Sequence, residues 1–334
     1  MKKVLTSLRG DVAVMEANAE VQVPARKPDN KRRTSLLRKF YGQRYLQVMA
    51  LLGVAWMLLF HYAPMYGIVI AFKQYIGIGE IKNAPWAGWE HFRSIFEDDL
   101  MLKVIRNTLG ISLLKLIIGF PIPILFALFL NELRSLRFNR IVQTITYLPH
   151  FLSWVILGGI LITWLSDVGV VNDVLMSLGL VKEPIFYLSE PQYFWGIVIA
   201  SDIWKEFGWS AIIYIAAIAS ISPELYEAAT IDGAGRFQRM RYVTVPCIKG
   251  TISILFILSV GSILNSNFDQ ILVLKNQVNE SASSVIDIYV YEIGIKQGRF
   301  SYSAAVGLVK GVIALFLLLL ANSFSKRMNQ SSLF

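Results

Sequence analysis

Six stretches of the chain stay apolar for about the length of a bilayer crossing: Leu46–Phe72, Thr108–Leu130, Ile145–Leu165, Phe194–Ser220, Ile248–Phe268 and Ser303–Phe324. A helix needs roughly 20 mostly apolar residues to span the hydrocarbon. Backbone groups in lipid must find partners within their own segment, so these stretches are read as helices. The pattern predicts an all-α polytopic membrane protein with six transmembrane helices. Pro64, Pro121 and Pro123 lie inside predicted spans and predict kinks or irregular turns, tolerable where neighbouring helices cover the freed carbonyls. The chain then divides into a tail (1–45), a membrane domain (46–325) with a long connection at 221–247, and a short C-terminal tail (326–334). From Lys31 to Gln47 the pattern is amphipathic, with Leu36, Leu37, Phe40, Tyr41 and Tyr45 set against Arg32, Arg33, Arg38, Lys39 and Arg44. This predicts a helix lying on anionic lipid. A plain positive signal leading into the first span accounts for the same residues, and both readings can hold.

Composition sharpens this picture. Of the 334 residues 55% are hydrophobic and only 16% charged, with a mean hydropathy of +0.52; soluble chains carry about 25% charge. The distribution of Lys and Arg predicts orientation. The N-terminal tail is rich in both. Arg134, Arg137 and Arg140 occupy the second connection, Arg236, Arg239 and Arg241 the long one, and Lys326 and Arg327 the C-terminus. The third connection, Ser166–Tyr193, sets Lys182 against Asp167, Asp173, Glu183 and Glu190. Both termini and the long connection are therefore expected in the cytoplasm. The net charge of +9 resides mostly in the basic tail, and no folded basic domain points to nucleic acid. The first apolar run begins too late and is too long for a cleaved leader, so the first span is expected to act as its own insertion signal. Cys247 is the lone cysteine. No Gly-x-x-x-x-Gly-Lys-[Ser/Thr] occurs, so no ATPase P-loop is encoded. His61, His91 and His150 are too scattered to suggest a metal site, and no nucleophile–base pair is apparent. The expectation is a non-catalytic chain.

The long connection carries the most specific pattern. Ser222-Pro223-Glu224 predicts a helix start, with a hydroxyl cap, Pro at the first helical position and an anion at the positive end. Leu225 to Ile231 makes about two turns. Asp232-Gly233-Ala234-Gly235 breaks the helix. Arg236 to Val243 can form a second short helix that Pro246 closes. Ala228 and Ala229 would let a partner's backbone approach closely. An ordinary turn-forming connection is the blander alternative. Glu227-Ala228-Ala229, three residues, Gly233, nine residues, then Val243-Thr244-Val245-Pro246 resembles the EAA loop of ABC importer permeases, with Val243 and Val245 replacing Ile and Leu. Met65–Lys73, Arg106–Leu109, Gly119–Pro123, Tyr147–Phe151, Ser201–Glu206 and Ala304–Leu308 are similar to carbohydrate ABC importer permeases, particularly the polysaccharide and oligosaccharide group that includes alginate importer permeases. The resemblance implies a type I importer fold and a coupling loop formed by Glu227, Ala228, Ala229, Asp232, Gly233, Gly235 and Pro246. It also implies a second homologous permease, two ATPase subunits that bind ATP and Mg, an extracytoplasmic solute-binding protein and an oligosaccharide substrate. A secondary transporter driven by an ion gradient is the rival, and a membrane-embedded enzyme a weaker one.

Ionisable residues within spans demand an explanation. Asp202, Lys205 and Glu206 lie at i, i+3 and i+4 of the fourth span, so Lys205 is expected between two anions, flanked by Trp204 and Trp209. Asn265 and Asn267 end the fifth span; Lys115 and Lys310 lie at similar depth in the second and sixth. Together these residues suit a sugar pathway, because hydroxyls need hydrogen-bond partners and sugar C–H faces pack on aromatic rings. An internal ion-pair network is the alternative for Asp202 and Glu206, and snorkelling or pairing for the lysines. Lys115, Lys205 and Lys310 facing one cavity would favour an anionic saccharide. In the first connection, Pro85, Trp86, Trp89, His91, Phe92 and Phe96 form an aromatic interface belt or a landing surface for a binding protein.

Overall fold

The structure, a computed structural model, describes residues 43–133 and 135–329, so the amphipathic stretch from Lys31 falls almost wholly outside the described residues. The chain is nearly all helical; among the described residues the only strand-like pairing is a bridge between Lys73 and Trp86. It divides into two units, one ending at Pro64 and one beginning at Met65.

The described part of the first unit is helix α1 (Arg44–Met57) and a wide π turn, Leu58–Tyr62. None of its residues is buried, and its apolar side chains face outward all round, as suits lipid or a partner chain.

The second unit carries α2 (Glu90–Glu97), α3 (Asp99–Leu114) and, after a π turn at Lys115–Gly119, α4 (Pro121–Asn131). Next come α5 (Leu136–Tyr147), a tight 3-10 turn (Leu148–Phe151), α6 (Trp154–Trp164), α7 (Val170–Ser177) and the 29-residue α8 (Pro191–Ala219). The long connection supplies α9 (Pro223–Ile231) and α10 (Arg236–Arg239), and a π turn at Met240–Thr244 leads into α11 (Val245–Gly261). Short helices α12 (Phe268–Leu274), α13 (Glu280–Ser283) and α14 (Ile286–Tyr291) precede the final α15 (Phe300–Asn329).

Among the described residues, four helical stretches are long and apolar enough to cross a membrane: Arg44–Phe72, Asp99–Asn131, Arg236–Gly261 and Phe300–Arg327. The count reaches 6 when each of two bent pairs is one span: Leu136–Phe151 with Trp154–Trp164, bent by 100°, and Pro191–Ala219 with Pro223–Ile231, bent by 72°. No more than 22% of any of the four apolar windows is buried within the chain, so much of their surface is left for lipid or other subunits.

The prolines do not break these spans, and the reason is local. Proline lacks an N–H, and its ring collides with the carbonyl four residues earlier. For Pro64, Pro121 and Pro246 those carbonyls belong to Phe60, Ile117 and Tyr242, each at the middle of a π turn. The wider turn makes room for the ring and absorbs the missing bond. Pro246 was expected to close a short helix. Instead it lies inside a continuous 26-residue span beginning at Arg236. That span ends at Gly261 rather than Phe268, because the chain unwinds through Ser262–Asn267 and Asn267 adopts a left-handed φ of 55°.

Three apolar clusters hold the second unit. One joins Met101 and Val104 of α3 to Tyr289 and to Ala305 and Val306 of α15. A second packs Phe194 and Val198 of α8 with Ile271 and Leu274 of α12. The third binds Ala127 and Leu128 of α4 to Ala211 and Tyr214 of α8, with Met240 at the entry to the fifth span. In the first connection Phe72 gathers Trp86, Trp89 and Phe92 around it, with ring centroids 5.9, 5.4 and 5.1 Å away.

Candidate functional site

Helices α3, α4, α8 and α11 line an open cavity of about 620 Å³. Lys115, Asp202, Glu206, Trp209 and Asn265 from the predicted pathway all line it, joined by Ser112. Trp204 is 41% exposed and lies outside the lining. Asn267, Lys205 and Lys310 are also absent from the wall.

The charges pair differently from the expectation. Asp202 is held by Lys115, whose Nζ lies 3.1 Å from Oδ1, and by Asn267, whose Nδ2 donates to the same oxygen at 3.0 Å. Lys115 also donates to Gln270 Oε1 at 3.1 Å. Gln270 is fully buried and donates in turn to Val198 O and Ser201 Oγ at 2.7 and 2.9 Å. Lys205 therefore does not sit between two anions: Asp202 is taken by Lys115 and Asn267 from other elements, and Lys205 is left to Glu206. Lys205 is only 5% exposed. Its Nζ meets Glu206 Oε1 at 3.2 Å and donates to the backbone carbonyl of His150 at 2.6 Å. It also lies 5.7 Å from the ring centroid of Trp154. Lys310 is paired with Asp287, whose other oxygen accepts from the Ser266 N–H at 3.2 Å.

His150 was not predicted as a site residue, yet it closes this arrangement. Its Nδ1 is 2.8 Å from Glu206 Oε2, and its ring stacks on Trp209 at 4.4 Å with an interplanar angle of 2°. The close approach depends on Gly208, where a Cβ would lie 2.2 Å from the Thr146 carbonyl oxygen. Glycine brings the 3-10 turn after α5 onto α8, and the turn delivers His150. Gln270 was missed too, because its signal is a partner on a distant helix. His150 covers one ring face of Trp209 and Phe151 packs against the same ring edge-to-face at 5.5 Å, while Trp209 stays partly exposed on the cavity wall. Carboxylates and side-chain amides beside an aromatic face can hold a polyhydroxylated molecule through hydrogen bonds and stacking.

The second candidate region is the connection from Ser222 to Pro246. Pro223 opens α9, but the Ser222 hydroxyl makes no cap bond. Helix α9 ends where Gly233 adopts a φ of +80°, and the N–H groups of Gly233 and Ala234 return to the carbonyls of Thr230 and Ala229 at 3.0 and 2.9 Å. Open space surrounds a Cβ built on Gly233, so its backbone conformation selects glycine rather than crowding. The Gly235 N–H donates to Gln238 Oε1 at 2.7 Å, starting α10. Glu227, Ala228, Asp232, Gly233, Gly235 and Pro246 are exposed, and Ala229 is half-buried. Ile231 and Phe237 are 87% and 76% exposed.

Residues 119–330, more than half of the chain and including α4, α8, α11 and this loop, match the family of binding-protein-dependent transport system inner membrane components. The chain belongs to that family. The permease is 42% identical over 320 residues to the polygalacturonan/rhamnogalacturonan transport system permease protein YteP of Bacillus subtilis, covering 95% of this chain and 99% of the relative. It is 41% identical to protein LplB of the same organism, over 87% and 91% of the two chains. Among solved structures it is similar to a bacterial ABC transporter involved in the import of the acidic polysaccharide alginate. The TM-score is 0.81 with 40% identity, covering 88% of this permease and 99% of that chain. A structure of a bacterial alginate ABC transporter in complex with alginate pentasaccharide-bound periplasmic protein gives the same TM-score at 39% identity, over 89% and 99% of the two chains. The permease is thus the membrane component of a sugar ABC importer of the binding-protein-dependent type, and the ion-gradient alternative falls.

Proposed function

We propose that the permease forms half of the translocation pathway for an oligosaccharide and couples it to a separate ATPase through Glu227–Gly233. The observation that carries this reading is the cavity of about 620 Å³ where Lys115, Asp202, Glu206, Trp209 and Asn265 converge from different helices. Its full assembly comprises a second homologous permease, two ATPase subunits that bind ATP and Mg, and an extracytoplasmic solute-binding protein that delivers the sugar. Both termini and the coupling loop face the cytoplasm. The exposed, glycine-ended knob formed by α9 is a shape that a partner subunit can grip.

A uronate oligomer is the first substrate to test, because two relatives bear the names of acidic polysaccharides. Its recognition would not rest on free lysines, since Lys115, Lys205 and Lys310 each have a carboxylate partner. The reconstituted complex is expected to co-purify with its ATPase and to take up the oligosaccharide only with ATP. Uptake without ATP, or a permease that retains no ATPase, overturns the reading. Lys115→Gln and Lys310→Gln, separately and together, are expected to reduce uptake of uronate and neutral oligosaccharides alike; a loss confined to the uronate would assign the lysines to charge selection. In a Cys247→Ser background, a cysteine at Ser189 should label from outside and one at Gln238 only from inside. The reverse pattern would overturn the orientation.

A further inference from the structure

We propose that Arg239 is a positioning residue that transmits movement of the docked coupling helix to the cavity-lining spans, acting through Glu132. The inference rests on the reading of α9 as the ATPase docking helix.

Helix α9 has no buried residue, so apolar packing does not fix it to the rest of the permease. Polar contacts do. Tyr226 Oη lies 3.0 Å from Thr244 Oγ1, and Arg239 Nη1 donates to Thr230 Oγ1 at 3.2 Å. Arg239 Nη2 also faces Glu132 Oε2 at 3.9 Å. One guanidinium therefore bonds to the coupling helix and faces Glu132, the residue that caps α4. Helix α4 follows directly from the Lys115–Gly119 turn, and both contribute to the cavity wall, as does α11 beyond Thr244.

The joint is backed by packing. Met240, next to Arg239, is buried in the cluster that holds Ala127 and Leu128 of α4. Thr244 is fully buried and shares a hydrogen bond with the Tyr226 hydroxyl. A displacement of α9 is thus carried to the second span by Arg239 and to the fifth by Thr244 and the intervening π turn. The Arg239 contacts are not saturated. Its Nε is buried without a hydrogen-bond partner among the described residues, and the Glu132 pair stands at 3.9 Å rather than at contact. A guanidinium with unused donors can tighten onto Glu132 when α9 shifts, which is the behaviour of a joint with two arrangements. Because the pair is loose and partly solvated, it contributes little to holding the fold.

The test uses the complete importer in proteoliposomes and needs no sugar. A reporter, Ser259→Cys on the cavity wall, is placed in a Cys247→Ser background, and its maleimide labelling rate is measured with and without Mg·ATP and vanadate. In the parent importer the nucleotide is expected to change labelling roughly tenfold, within the usual range of coupling between sites. Arg239→Ala and Glu132→Ala should each abolish that response while the ATPase still co-purifies and hydrolyses ATP, and the double variant should lose no more than either single one. A full response in Arg239→Ala overturns the proposal, as do losses that multiply in the double variant. A variant that fails to assemble also overturns it, by making Arg239 a residue that holds the fold. An ATPase that does not co-purify with the parent permease rejects the docking reading itself, which separates the two failures.

Discussion

The cavity wall and the coupling knob use polar residues in opposite ways. In the wall every intramembrane charge is answered from inside the chain: Asp202 by Lys115 and Asn267, and Glu206 by Lys205 and His150. In the knob, Glu227 and Asp232 are exposed, α9 buries nothing, and Ile231 and Phe237 stand out from the surface. The wall is finished within one chain, because an unpaired charge beside lipid is costly. The knob is stabilised by little of its own, as expected of a surface that, under the proposed function, another subunit completes. Substitutions in the wall should therefore act on the stability of the permease, and substitutions in the knob on its coupling.

The largest effect is expected at Lys205. Lys205, behind the wall, holds Glu206 and the His150 carbonyl; Lys205→Met removes that cation, and because Glu206 is part-exposed and keeps His150 the cost is that of a charged hydrogen bond, about 1.5–3 kcal/mol. The thermal midpoint of the detergent-solubilised permease should drop by several degrees. An unchanged midpoint would show that the wall is not internally locked. Gly233→Val is expected to do the reverse. It forces a branched residue into a φ of +80°, a local cost of about 1–2 kcal/mol. Membrane insertion and midpoint should hold within a degree or so of the parent, while ATP-dependent uptake falls. Normal uptake in that variant would remove the knob from the coupling path.

The smallest effect extends the comparison to a polar cluster around Asp98, just ahead of the second span. Asp98 caps α3 and accepts from Tyr289, and from Tyr302 at 3.1 Å. Burial alone would raise its carboxyl, but hydrogen bonds from Tyr289, the Leu100 N–H and Tyr302, with the nearby Arg299 charge, hold it below the usual range. Burial and the Asp98 contact push the Tyr289 hydroxyl up, so it stays a donor at all working pH values. A lowered carboxylate stabilises the fold fully above its unfolded value of about 3.9, and that contribution is lost as pH falls through the folded value. Midpoints measured from pH 6 downward should thus fall less steeply in Asp98→Asn than in the parent. Identical acid slopes would mean that this cluster is not linked to folding.

Much of the architecture was legible because hydropathy is a local property. The apolar stretches, the charge-poor spans and the glycine elbow at Gly233 each depend on residues close together in the chain. The elbow is a case where local chemistry suffices: a helix must end, and only glycine takes a φ of +80° without strain. The behaviour of Pro246 was misread for the same local reason. Proline looked like a stop, whereas packing of Met240 and Ile248 into the cluster with Ala127 holds the helix together across it, and a π turn absorbs the ring.

What the sequence by itself determined is an inventory: a membrane-spanning helical chain, an exposed loop of a recognisable spacing, and a set of ionisable residues that could not remain unpaired in lipid. Which residues would satisfy them was decided only by the tertiary structure. Lys115 reaches Asp202 and Gln270 from another helix, and His150 reaches Glu206 because Gly208 lets a turn lie against α8. Helical spacing ranks neighbours on one helix, and there it favoured Lys205 for Asp202. It carries no information about the faces that neighbouring helices present, and in a bundle those faces supply the nearer charge.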